Sequence, residues 1–438
     1  MVLYFPAVMV SFDSPRYARV DDRPMFGDYW MPAGYPFVLR ALHALTDQLW
    51  FTIAVQHAMG LLVGVMIYLG VRRLGCERWV ACIPAAVAFL SGDHVYLEHI
   101  IMADFLLGFL AVAGLSAAVF AFVPRLRVSY LAVASTVLGM AALVRSAGII
   151  LLPVVTVCAL VFSKGSFRAR LPALSAAVGP GFAVIAIYAA VCDFVGGKYL
   201  GLTDMSGWNV YSRVAPFADC RRFTPPPGTE VLCEDTPPAE RRGPFAYVWD
   251  KNSVAQRHFK LGPKTSDNVG AFAGAVILHQ PLEYLRVVAV DLLRYIEPAT
   301  GRHWPYAGQT DMTWAFGWRD LSAEEKVIAA MSRGYSGTEL RVRGEMSLNF
   351  YQHLSRVSGL LLAGLLVLTG AGLWFASATL RAGILLFGLG AFGLYVLPVM
   401  TVSYDYRYGL PPLLLLVVSG TVGGVAVWRH TAVAQRMR

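Results

Sequence analysis

The chain has 438 residues, 56% of them hydrophobic and 15% charged, and its mean hydropathy is +0.54. That balance excludes a soluble globular domain and describes a protein that crosses a membrane several times. Its net charge of +9 is not organised as a basic helix or a stacked-aromatic surface, so no nucleic-acid partner is expected.

Residues 1–10 read as the tail of a further span, cut short at its start or lying in the interface. The stretch 12–39 is polar, acidic and aromatic. It carries Asp13, Asp21, Asp22 and Asp28, and it is interrupted by Pro15, Pro24, Pro32, Gly34 and Pro36. Those breakers rule out a long helix. Asp13-Ser14-Pro15 is nevertheless a good helix start, because Asp or Ser caps free N–H groups and Pro fits the first turn. Arg16 and Tyr17 follow within a turn, which would gather a base, a cation and a phenol at one membrane surface. Helix capping alone would also account for Asp13.

Apolar segments of roughly bilayer length then recur. They lie near 50–71, 79–97, 102–123, 128–144, 147–163, 172–192, 357–376, 382–401 and 409–428. The loops holding Arg72, Arg73 and Arg78, then Arg125 and Arg127, then Lys164, Arg168 and Arg170, then Arg381, and finally Arg429, Arg436 and Arg438 contain Glu77 as their only acid. The positive-inside rule makes these cytoplasmic. Alternation then puts 13–47, 98–102, Arg145, 192–356 and 403–408 on the opposite face.

Three polar groups punctuate the outer face. The corner 91–99 (Ser-Gly-Asp-His-Val-Tyr-Leu-Glu-His) leads to Asp104, a carboxylate in the first turns of a span. At that depth it needs a partner or a polar cavity, or it serves the helix N-terminus electrostatically. His94, Glu98 and His99 form only a weak metal signal. Arg145 interrupts two apolar runs and suits either a phosphate or snorkelling. Near the last span, Arg407 has the planar fork that fits a phosphate, while Tyr404, Tyr406 and Tyr408 also fit an aromatic belt.

The segment 193–356 is the large non-membrane region. Cys220 and Cys233 are expected to form a disulfide there, in an oxidising compartment. Residues 269–295 read as two amphipathic helices on the membrane surface, the second starting at Pro281; the alternative is one kinked span. Residues 302–350, with His303, Trp304, Tyr306, Trp314, Phe316 and Trp318, are expected to cover the outer face.

With these residues in view, the sequence resembles the GT-C glycosyltransferases that use polyprenyl-phosphate sugars. The similarity is to the family 39-like branch of protein mannosyltransferases and aminoarabinose transferases. It is carried by Asp13-Ser14-Pro15-Arg16-Tyr17-Ala18, Gly27-Asp28-Tyr29-Trp30, Gly34-Tyr35-Pro36, the corner with Asp104, Leu143-Val144-Arg145 before a span reaching Pro153, and Arg407-Tyr408 with Pro411. It covers most of 11–192 and the end, 396–420. The resemblance implies that Asp13 is the catalytic base and Asp104 the second acid. It also implies that Arg407 and Tyr408 lie at the donor phosphate. There are two departures. Ser14 stands where many relatives have a second acid, and no lysine stands near Tyr35-Pro36.

The expectation is therefore an all-α polytopic membrane protein, a GT-C-like bundle of about nine or ten spans with an extracytoplasmic loop domain. Its parts would be a module at 1–192 containing the catalytic loop 11–48, a loop region at 193–356, and C-terminal spans at 357–438. In a bacterial plasma membrane it would transfer sugar from a polyprenyl-phosphate donor to an extracytoplasmic glycan, lipid or protein acceptor, with inversion. Arg407, Tyr408, Arg145 and Arg16 would hold the phosphate, and Tyr17, Asp28, Tyr35 and His99 would contact substrate. No cofactor beyond the lipid-linked donor is expected, a divalent metal being the lesser expectation. The rival readings are a transporter or flippase of lipid-linked intermediates and a non-catalytic assembly subunit. The clustering of intramembrane charge toward the outer side disfavours transport.

Overall fold

The computed structural model of the protein describes residues 10–11, 13–20, 24–26, 28–196, 201–297, 321–337 and 345–436. Residues 1–9, Asp21, Asp22, Gly27 and the aromatic residues expected to act as a cover at 302–320 lie outside the described residues. Regular structure among the described residues is helical, apart from isolated bridge residues such as the pair Gln48 and Ser336.

The chain runs through α1 (Ser14–Ala18), α2 (Gly34–His43), α3 (Leu49–Arg73), α4 (Arg78–Leu90), α5 (Gly92–His99), α6 (Ala103–Phe122), α7 (Val128–Val144), α8 (Leu151–Phe162) and α9 (Phe167–Gly196). Shorter helices follow: α10 (Ser206–Val214), α11 (Pro244–Trp249), α12 (Val254–Phe259), α13 (Pro263–His279) and α14 (Pro281–Arg294). The chain closes with α15 (Leu321–Met331), α16 (Glu345–Ser355), α17 (Gly359–Phe375), α18 (Ala378–Thr401) and α19 (Leu410–Arg436).

Among the described residues, six helices are long and apolar enough to cross a bilayer, or seven if the bent pair α4–α5 is one span. The nine apolar segments expected are all helical, but three depart from a simple span. The segment 79–97 bends by 47°, because Ser91 is extended (φ −68°, ψ 116°). The bend lets α16 pack on Gly92, where a Cβ would lie 2.4 Å from Gln352 Cα. The segment 128–144 is a helix of 17 residues. The segment 147–163 opens with a 3-10 turn at Ser146–Ile150 before α8.

Helix α6 runs through the middle of the bundle, with Ala111, Leu115 and Ala118 fully buried. Close helix approach relies on small residues. A Cβ on Gly139 would meet Gly181 Cα at 2.8 Å between α7 and α9, and one on Gly372 would meet Gly423 Cα at 2.3 Å between α17 and α19. The two ends of α6 are chemically opposite. At its C-terminal end Arg73 Nε donates to Val123 O (2.9 Å) and Arg429 Nη2 to Gly75 O (2.7 Å), so the arginine-bearing ends of α3 and α19 gather there. At the other end stand Asp104, Arg145 and Arg407. The 20 residues of α6 separate these ends by about 30 Å, close to a bilayer's hydrocarbon thickness.

Residues 201–297 build a second apolar cluster around Trp208, Tyr211, Phe272 and Phe223. The Cys220 and Cys233 sulfurs are bonded. Buried Arg241 donates to the carbonyls of Ala215, Ala218, Glu234 and Thr236, which fixes the loop around the disulfide. The chain breaks at Gln280 (φ −132°, ψ 51°) and restarts at Pro281, so α13 and α14 are separate helices, and they are not among the helices long and apolar enough to cross a bilayer in the described residues. Polar contacts join this cluster to the bundle and the first loop. Asp291 Oδ2 accepts from Arg213 Nη1 within the cluster (2.6 Å) and from Tyr404 N–H of the bundle (3.1 Å), and Asp204 N–H donates to Tyr29 O of the first loop (2.9 Å).

Candidate functional site

The site begins with a local choice at α1. The Asp13 backbone is already helical (φ −82°, ψ −17°), and its side chain caps no N–H group. The fully buried neighbour Ser14 does the anchoring. Its Oγ donates to Ile101 O at 2.9 Å and accepts from Ser11 N–H at 2.7 Å. The departure at Ser14 thus has a structural use, tying α1 to the turn before α6. The Asp13 carboxylate, with 33% of its side chain exposed, is left to face a cavity.

That cavity is about 330 Å³, and Asp13, Tyr17, Arg145, Arg407 and Tyr408 share its lining. Arg407 Nη1 lies 3.4 Å from Asp13 Oδ2. Behind it, the Asp405 carboxylate accepts from Arg407 N–H (3.1 Å) and lies 3.2 Å from Nε, which orients the guanidinium. Arg145, at the end of α7, pairs with Asp104. The Tyr408 ring carries both cations, with Arg145 at 4.7 Å and Arg407 at 5.1 Å from its centroid. Tyr17 is buried against Tyr35, ring centroids 5.3 Å apart and edge to face. Burial pushes its phenol above the ordinary value, so Tyr17 stays protonated.

Each arginine therefore has a carboxylate fixing it from behind, and Asp13 faces Arg407 across the longest of these contacts. An anion entering the cavity can replace Asp13 on Arg407 without disturbing the supports.

Other expected residues are placed elsewhere. Asp104 is buried and does not line the cavity; it reaches it only by its pairing with Arg145. Arg16, expected at the phosphate, donates to both oxygens of Asp28 (2.7 and 2.8 Å). Asp28, expected at the substrate, also accepts from Arg19 (2.8 Å), Trp30 N–H (2.8 Å) and Met31 N–H (3.2 Å). Burial would raise the Asp28 carboxyl, but the hydrogen bond and charge of Arg16, with Trp30 N–H and Arg19, hold it down at about 2. These two residues form a structural knot under Trp30.

Tyr35 donates to Gln56 Oε1 (2.9 Å), and Gln56 in turn donates to Glu98 O (2.8 Å), a brace behind the cavity. His99 is buried, with Nδ1 on Val95 O (2.7 Å) and Nε2 facing His57 Nε2 (3.4 Å). Glu98 pairs with His57, and His94 Nε2 donates to Leu410 O (3.1 Å). Glu98 and His99 thus share His57 while His94 turns to Leu410, and no cluster of three or more potential ligands is arranged for a metal among the described residues.

The structure adds residues that the sequence reading missed. Asp93 accepts from Tyr406 OH (2.8 Å), Gln352 Nε2 (2.8 Å) and Arg356 (3.1 Å), which steadies the turn carrying Arg407. Its signal was present in the polar corner at 91–99. Trp249 and Asn209 also line the cavity; no local feature of the sequence marks them. Comparison with family models, curated proteins and solved structures finds no match to this chain.

Proposed function

We propose that the protein is a membrane glycosyltransferase that moves a sugar from a polyprenyl-phosphate donor to a hydroxyl-bearing acceptor at the extracytoplasmic face of a bacterial plasma membrane. One observation carries this reading. An uncapped carboxylate, two supported guanidiniums and two phenols from sequence-distant segments line one cavity at the end of an apolar helix bundle. The arginine-rich end of the bundle lies opposite, which supports the outer location of the cavity. The Cys220–Cys233 disulfide agrees with an oxidising compartment.

In this mechanism the donor phosphate binds Arg407 and Arg145 and displaces Asp13 from its long contact. The freed carboxylate takes the proton of the acceptor hydroxyl as that oxygen attacks the anomeric carbon. The new C–O bond forms as the bond to the phosphate oxygen breaks, with inversion. Polyprenyl phosphate leaves carrying the electron pair, and the guanidiniums with Tyr408 stabilise its charge. Asp104 and Asp405 hold the two guanidiniums in place.

The test is transfer from a panel of radiolabelled polyprenyl-phosphate sugars by the purified chain in lipid nanodiscs, wild type beside Asp13→Asn. Transfer by wild type that is lost in the variant is the expected result. Equal turnover in the variant would remove Asp13 as base, and no binding of any donor would overturn the reading.

A further inference from the structure

The cavity has two unlike halves. Its charged side chains, Asp13, Arg145 and Arg407, come from the start of α1, the end of α7 and the turn before α19. The wall formed by Trp30, Met31 and Pro32 with residues 201–297 is neutral. There Trp30 and Trp249 pair edge to face, 4.8 Å between centroids at 62°. Trp249 lines the cavity and remains 51% exposed, so its ring offers a face to an entering molecule. The Trp30 backbone is tied to the Asp28 knot through its amide N–H.

Beside this pair, α10 presents Ser206 and Asn209 to the cavity, and Thr203 precedes the helix. Three residues apart, Ser206 and Asn209 share one face of α10. The opposite face, Trp208 and Tyr211, is fully buried in the apolar cluster. The helix is therefore fixed in rotation, with hydroxyl and amide groups turned to the cavity. These groups both donate and accept, and they carry no charge.

We infer that this wall is a binding subsite for an uncharged saccharide, gripped by the Trp30–Trp249 pair and hydrogen-bonded by Ser206, Asn209 and Thr203. A pyranose or furanose offers apolar C–H faces for an indole and a rim of hydroxyls for amide and hydroxyl partners. An anionic lipid headgroup or an acidic peptide would require cations on this wall, and the lining supplies none. Joined to the proposed transfer, on which this clause alone rests, the saccharide is the acceptor, its hydroxyl directed at Asp13.

The experiment is isothermal titration of the full chain in nanodiscs with neutral gluco-, manno- and arabino-oligosaccharides. Oligogalacturonate and a polyprenyl phosphate serve as separate probes. At least one neutral oligosaccharide should bind, and Trp249→Ala should weaken it about tenfold or more. Asn209→Ala should weaken it several-fold, and Trp249→Phe should retain part of the affinity. Trp374→Ala, exposed on α17, should leave it unchanged. Binding of no neutral oligosaccharide, equal binding by Trp249→Ala and Asn209→Ala, or tighter binding of oligogalacturonate would each overturn the assignment. The polyprenyl phosphate separates the two claims. Saccharide binding without any lipid-phosphate binding would sink the transferase reading and leave the saccharide subsite standing. Lipid-phosphate binding lost in Arg407→Ala, with no saccharide bound, would do the reverse.

Discussion

Asp13 and Asp28 lie fifteen positions apart in one loop, and both face arginines. Asp28 is saturated: Arg16 and Arg19 donate to it at 2.7–2.8 Å, two backbone N–H groups complete its shell, and its side chain is fully shielded. Asp13 has one arginine at 3.4 Å and a third of its side chain exposed. Identical side chains thus serve opposite ends. A carboxylate whose lone pairs are all taken is a strut, because moving it breaks every bond at once. One with open positions at a cavity can accept a proton from something that enters. On the proposed mechanism, the count of partners, more than the presence of a carboxylate or arginine, separates the reacting group from the scaffold.

The sharpest way to break this contrast is to neutralise each acid in turn. Asp13→Asn should lower the transfer rate by about a hundred- to ten-thousand-fold, the usual contribution of a general base, while leaving thermal unfolding in nanodiscs unchanged. Asp28→Asn should do the opposite. It strands two guanidiniums near a buried amide, at a cost of about 3–5 kcal/mol, read as a lower unfolding midpoint. The transfer rate of the molecules that remain folded should stay within about tenfold of wild type, because Asp28 is not itself in the cavity lining and touches it only through the Trp30 and Met31 amides. If Asp13→Asn instead unfolds the protein and Asp28→Asn abolishes turnover, the two roles are reversed.

Acid gives a milder form of the same comparison. The Asp28 carboxyl titrates at about 2 in the folded loop against an ordinary value of 3.8. A depressed value means the contribution is fully present above pH 3.8 and is lost as the pH falls through about 2. The difference amounts to about 2 kcal/mol. Hydrogen exchange at the Trp30 and Met31 amides, which donate to Asp28, should therefore lose about thirty-fold of its protection between pH 6 and pH 2, after correction for intrinsic rates. Protection independent of pH would mean that the knot does not rest on the charge of Asp28.

Much of the helical scaffold could be read directly, because apolar runs bounded by arginines have few alternatives in a bilayer. Helices α3, α6, α7 and α18 begin and end within about four residues of the expected limits. The break at Ser91 is not visible in the sequence because Val95, Tyr96 and Leu97 keep the local hydropathy high while the flanking Gly92, Asp93 and Glu98 bond to α16 and α3. The charged half of the cavity was legible for a similar reason: Asp13, Arg145 and Arg407 are each unusual for their surroundings. Arg16 and Asp28 were equally conspicuous, and nothing in their spacing reveals that they satisfy each other. The neutral wall was illegible, since Trp249 and Asn209 become neighbours of Asp13 only through the packing of residues 201–297 on the bundle.

The smallest expected effect concerns how the Arg407 turn is held. Tyr406 OH donates to buried Asp93, and Arg356 stacks on the Tyr406 ring at 4.8 Å. Tyr406→Phe keeps the ring and the stacking and removes one hydrogen bond, a loss of about 1 kcal/mol. Asp93 retains Gln352 and Arg356, so the fold should persist. What changes is the precision with which the next residue, Arg407, meets the donor phosphate. The KM for the donor should rise about fivefold, the shift that 1 kcal/mol supports, with kcat nearly unchanged, because the phenol touches neither the base nor the anomeric carbon. An equal fall in kcat would place Tyr406 in transition-state stabilisation. No change in either constant would show that Asp405 alone suffices to aim Arg407, leaving Asp93 as a brace for α16.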